Sequence, residues 1–260
     1  MHSMGGAGEA VVRDQQGFVR TLAEVNVETR LAFLRRTYMW LGLALGIAAA
    51  IAALSFSFFI ENFGALQTVL SPVVWMGILA GSMILSGFVF GRLLLQPRTA
   101  TWGLFGQAAV EGLIFGPLLA VAYIVSVGVN DPGYTIIIQG VVLTTFVFGG
   151  ITAYVFLTKQ DFSFMKGALV VLGSLLMGVV LVSLVSAAFG ATFVGEFWFG
   201  IAICSLGILF GAGSMLYTTS RLVLHGIEGQ EKMFAAALLS EIAIVLWYVI
   251  YLLIILASRR

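Results

Sequence analysis

Two carboxylates stand where hydrocarbon would ordinarily exclude them. Glu111 and Glu241 each lie well inside an apolar run, where a charged side chain costs roughly 2.5–3.5 kcal/mol even on the lenient insertion scale. Acids so placed need partners or water. Gln107 is one helical turn before Glu111, and Ser240 adjoins Glu241, so a small polar cluster forms if those faces point inward. Arg92, near the end of another run, is long enough to snorkel out to water or to reach back and pair with either acid. Burial, a second acid or a nearby arginine each bias the protonation of such a carboxyl, so the group reads as a proton- or cation-sensitive site. The alternative reading is that each glutamate is bonded to a neighbour and only locks helix to helix.

Other chemistry is scarce. The two histidines are His2, close to the start, and His225, in a polar break, which leaves no cluster for zinc or heme within the runs. Gly211-Ala212-Gly213-Ser214 resembles a serine-hydrolase turn faintly, but no histidine lies in the runs to act as its base, and Ser214 reads as a packing serine. Cys204 is the single cysteine, so no internal disulfide is possible. No cofactor, catalytic residue or metal ligand set is expected, and an enzyme is a distant reading.

The elements that must position the acids follow from composition. The 260 residues are 60% apolar and 10% charged, far from the roughly 45–50% and about 25% of soluble domains. A net charge of +1 offers no field for nucleic acid. Apolar runs cover Thr37–Phe59, Val73–Leu95, Thr101–Val127, Thr135–Leu157, Gly167–Phe189, Phe197–Thr219 and Phe234–Ala257. Each is long enough to cross about 30 Å of hydrocarbon as a helix. The expected fold is therefore an all-α integral membrane bundle of seven helices over residues 37–257. It follows a tail, residues 1–36, which reads either as a solvated segment or, from Phe18, Leu22 and Val25, as an amphipathic helix over about 18–36, and it ends in a short 258–260 segment. The bilayer is its first partner.

Pro72, Pro97 and Pro132 fall near breaks, whereas Pro117 lies inside the third run and predicts a kink or a locally opened helix. Small-xxx-small pairs at Gly42/Gly46, Gly77/Gly81, Gly87/Gly91, Gly112/Gly116 and Gly207/Gly211 predict close helix crossings. Counting alternate sides of the runs puts eleven of the 13 Lys and Arg on one side, from Arg13, Arg20, Arg30, Arg35 and Arg36 through Arg92, Arg98, Lys159, Lys166, Arg221 and Lys232. The other side has Glu61, Asp131 and Glu196, then Arg259 and Arg260. Basic flanks stay in the cytoplasm, so the N-terminus is expected there and the C-terminus outside, unless the last run is a hairpin. Glu111 is ten residues past Thr101 and Glu241 seven past Phe234. Those offsets set them about 15 and 10 Å from the cytoplasmic helix starts, near one level of the bundle.

Three stretches resemble the Bax inhibitor-1, or transmembrane Bax inhibitor motif, family. They are Thr158-Lys159-Gln160-Asp161-Phe162-Ser163-Phe164, Leu216-Tyr217-Thr218-Thr219-Ser220-Arg221-Leu222 and Ala236-Ala237-Leu238-Leu239-Ser240-Glu241-Ile242, with a basic lead-in at Phe33-Leu34-Arg35-Arg36-Thr37-Tyr38. The likeness covers about residues 33–257. It implies a seven-helix fold with the last helix central, and a pH-gated calcium or cation leak in bacterial members, with calcium and protons as the species handled and the bacterial inner membrane as the location. Eukaryotic relatives are linked to protection from cell death, and one bacterial relative binds a membrane-anchored AAA protease. The family's gate rests on two aspartates, whose positions here look like Thr218 and Glu241. Threonine cannot ionise, so the pair is broken. Either Glu111 supplies the missing acid from another helix, or conduction is lost and a scaffold role for a membrane protease or complex remains.

Overall fold

Hydrocarbon offers no water to a peptide group, so a lipid-embedded apolar run satisfies its backbone as a helix. The computed structural model describes residues 27–188, 197–226 and 229–259, and every regular element among them is helical. In order they are α1 (Val27–Glu61), α2 (Phe63–Val69), α3 (Pro72–Ile84), α4 (Gly91–Leu94), α5 (Ala100–Gly128), α6 (Thr135–Thr158), α7 (Met165–Ala188), α8 (Phe197–His225) and α9 (Glu231–Ala257). A π-helical segment, Leu85–Phe90, joins α3 to α4. Among the described residues, seven helical stretches are long and apolar enough to cross a membrane: α1, the composite Pro72–Leu94, and α5 to α9.

Of the expected tail helix, residues 18–26 lie outside the described residues, and residues 27–36 are the first three turns of α1. Glu196 also lies outside them. α9 runs without a break from Glu231 to Ala257, which leaves no bend for a hairpin.

α9 packs against α1, α5, α6 and α8, and α5 packs most extensively on α1. In the most apolar windows of α5 and α9, 44% of residues are buried, against none in Pro72–Leu94. The last helix is thus the centre of the bundle and α3 its periphery. Leu104, Met215, Leu222, Leu238 and Val245 form the heart of the core. Trp102, Phe146, Leu157, Phe164 and Trp198 stand outward, each more than 70% exposed. Large aromatic and aliphatic groups so displayed fit a lipid solvent.

Two of the five glycine pairs make the close crossings. A Cβ on Gly112 would strike the Ala48 carbonyl of α1, and one on Gly116 would strike Ser55; on α8, Gly207 faces the Tyr248 ring and Gly211 faces Val245 of α9. Gly42, Gly46, Gly77, Gly81 and Gly87 have nothing within 4 Å, and Gly91 meets only the Ser86 carbonyl of its own span. These three pairs face outward, because the same spacing occurs on helix faces that meet no neighbour.

Pro117 sits inside α5 without ending it. A proline has no N–H, so the carbonyl four residues back loses its helical donor. That carbonyl belongs to Leu113, and Ser55 Oγ of α1 donates to it at 3.1 Å. The neighbouring helix replaces the missing bond, at the place where Gly116 lets the two backbones approach.

Candidate functional site

The polar centre is built on two adjacent residues of α9. Successive residues of a helix point about 100° apart, and here Ser240 turns toward α5 while Glu241 turns toward α8. On the α5 side, Gln107 Nε2 is 2.5 Å from Ser240 Oγ, 3.2 Å from the Ala236 carbonyl oxygen and 3.3 Å from Glu111 Oε1. Ser240 Oγ in turn donates to Glu111 Oε1. The serine therefore relays between an amide donor and a carboxyl acceptor. On the α8 side, Thr218 Oγ1 donates to Glu241 Oε1 at 2.5 Å.

Each acid uses one oxygen in this way. Glu111 Oε2 and Glu241 Oε2 are closed off from solvent and, among the described residues, have no hydrogen-bond partner. Gln107 and Thr218 are themselves buried. Three of the four named site residues, Glu111, Glu241 and Thr218, thus gather around one level of α9, although Glu111 reaches it from α5 while Glu241 points from it toward α8, and the two acids do not bond each other. Arg92 does not join them. It is exposed on α4 and makes no ion pair or hydrogen bond with either glutamate. The composite second span lies at the edge of the bundle, so of the two courses open to this arginine, snorkelling out or reaching back, the side chain takes the outward one.

The three stretches that carried the resemblance meet in space. Ser220, at the end of α8, accepts from the Phe162 backbone N–H at 3.1 Å and donates to the Gln160 carbonyl at 2.9 Å. It thereby fastens the α6–α7 loop to the helix that holds Thr218. Within that loop, Asp161 Oδ1 accepts from the Ser163 hydroxyl at 2.5 Å and backbone N–H at 2.8 Å. These bonds to the charged form hold the Asp161 carboxyl below the usual aspartate range, with a smaller contribution from His225 3.8 Å away.

Sequence reasoning passed over a second polar contact on the same seam. Lys232 Nζ donates to Thr101 Oγ1 at 2.7 Å and lies 4.8 Å from the centre of the Trp40 ring. The available signal was spacing: Lys232, Ala236 and Ser240 recur every four residues on one face of α9. Outward of Glu111 the seam turns aromatic. Phe115 meets the edge of Trp247 at 5.6 Å, and Trp247 stacks on Trp75 of α3 at 5.6 Å.

Fold and site together define a multi-pass integral membrane protein with a buried acidic centre around its last helix. A model of the family described as inhibitor of apoptosis-promoting Bax1 matches residues 30–260, and the chain belongs to this Bax inhibitor-1 family. An uncharacterized protein of Pseudomonas aeruginosa is 32% identical over 56% of this chain, an alignment that spans 61% of that relative. An uncharacterized membrane protein of Vibrio cholerae is 29% identical over 86% of this chain and 87% of its own length. The protein named lifeguard 4 of Mus musculus is 28% identical over 86% of this chain and 85% of its own.

Proposed function

We propose that the protein is a passive, pH-modulated cation leak, with calcium as its first candidate ion, in a bacterial inner membrane with the N-terminus cytoplasmic. Glu241 is the gate acid, Thr218 the latch that holds it, and Glu111 the second acid of the pathway. The observation that carries this reading is the pair of closed-in, unpartnered oxygens, Glu111 Oε2 and Glu241 Oε2, at one level of the central helix. A carboxyl oxygen in hydrocarbon with no partner is held at considerable cost. A proton or a partly dehydrated cation satisfies it, and the identity of that occupant changes with pH.

The second reading is a non-conducting scaffold that binds a membrane protease or other membrane complex. It is favoured by the bonding of each acid's other oxygen to a neighbouring hydroxyl on a separate face of α9. Purified protein in calcium-loaded liposomes separates the two. The leak predicts flux above empty vesicles that varies with pH, and Glu241→Gln flattens that variation. No flux above empty vesicles refutes the leak, and an unchanged pH response in Glu241→Gln removes Glu241 from the gate.

A further inference from the structure

The α5–α9 seam is polar at Glu111 and closed differently at its two ends. Outward of the acid, Phe115, Trp247 and Trp75 form an aromatic block. Inward, toward the helix starts, Gln107 is buried and bound to the Ala236 carbonyl. One more turn in that direction stands Lys232, eight residues and about 12 Å before Ser240 along α9. A lysine at a helix end in a membrane ordinarily extends its ammonium to interfacial water. This one crosses the seam instead. It bonds Thr101 at the start of α5 and lies over the Trp40 face of α1, within the range at which a ring attracts a cation. One ammonium thereby ties α1, α5 and α9 together, and a route to Glu111 along their seam from the helix starts would have to pass it.

We propose that Lys232 is the cytoplasmic gate of that route: while its ammonium bridges Thr101 and Trp40, its bulk closes the seam and its charge opposes cation entry. This rests on the leak reading for its physiological meaning, but the closure itself is a property of the seam. A fixed positive charge at a narrow mouth repels cations by the same electrostatics that charged rings use in pores. Release of the ammonium into water leaves Gln107 and Ser240 as the next groups inward, both able to hydrogen-bond an arriving water.

Access and flux are measured separately. For access, Ser240→Cys is introduced with Cys204→Ala, and a membrane-impermeant cationic thiol reagent is applied to inside-out and right-side-out membrane vesicles. With Lys232 intact the thiol reacts slowly from both sides. Lys232→Met, which keeps the stem and removes the charge, accelerates reaction from the cytoplasmic side by about tenfold or more, because a cation–π contact and a charged hydrogen bond are both lost. Trp40→Leu removes one of the two ties and gives a smaller acceleration, whereas Lys232→Arg remains slow. For flux, Lys232→Met in calcium-loaded liposomes conducts several-fold faster than the unaltered chain. Unaltered access in both Lys232→Met and Trp40→Leu overturns the gate, whatever the flux. Accelerated access with no flux in any variant upholds the gate and refutes the leak. Equal acceleration from both sides overturns the assignment of Lys232 to the cytoplasmic mouth.

Discussion

Ser55→Ala tests whether one helix supplies a hydrogen bond that its neighbour's proline removed. Ser55 is 6% exposed, its Oγ lies 3.1 Å from the Leu113 carbonyl, and Pro117 is the residue whose N–H would otherwise serve that carbonyl. Side-chain hydrogen bonds within membrane proteins average about 0.6 kcal/mol and reach about 1.7. A carbonyl left without a partner in a dry environment adds to that, since an orphaned group loses on the order of 1–3 kcal/mol. A cost of about 1–2 kcal/mol is therefore expected. In a Pro117→Ala background the new backbone N–H serves Leu113 from within α5, and Ser55→Ala falls below about 0.5 kcal/mol, a coupling of the size contacting residues show. Reversible unfolding in mixed detergent micelles, followed by tryptophan fluorescence for all four proteins of the cycle, gives both numbers. Equal costs with and without the proline would show that Ser55 merely fills space against Gly116, and the compensation would be refuted.

The same assay separates the glycines. Gly207→Ala drives a methyl into the Tyr248 ring and is expected to destabilise by about 1–3 kcal/mol. Gly42→Ala meets nothing within 4 Å and is expected to be neutral or stabilising by up to about 1 kcal/mol through helix propensity. A matched response at the two positions would contradict the assignment of packed and outward faces. In the α6–α7 loop, Asp161 is held below the usual aspartate range, so its folded form binds its proton less readily than the unfolded chain. Its contribution is then fully present above the ordinary aspartate pKa, near 3.9, and fades only as pH falls through the lower folded value. Hydrogen exchange at the Ser163 amide should accordingly keep its protection at pH 5, once the intrinsic pH dependence is removed. Ser163→Ala should move the Asp161 titration upward by NMR, and an unmoved titration would show that the hydroxyl is not what holds it.

The sequence alone determined that this chain is a bundle of seven membrane helices, because an uninterrupted apolar run in hydrocarbon has one way to satisfy its peptide groups. It also determined that Glu111 and Glu241 lie near one depth, since helical rise converts residue offsets directly into distance. Depth along a helix is a local quantity, whereas the direction a side chain faces matters only once a neighbour is present. Identical glycine spacing therefore served Gly112/Gly116 at a tight crossing and left Gly77/Gly81 facing outward. For the same reason Arg92, equally able by length to reach an acid, stands exposed at the bundle's edge, while Lys232, which in the sequence is only one of the basic residues on the expected cytoplasmic side, spans a seam. Tertiary structure decided that Glu111 approaches α9 through Ser240 and Glu241 approaches α8 through Thr218, and that Ser55 serves the carbonyl Pro117 left bare. Such pairings join residues far apart in the chain, and only the packing of one helix against another selects them.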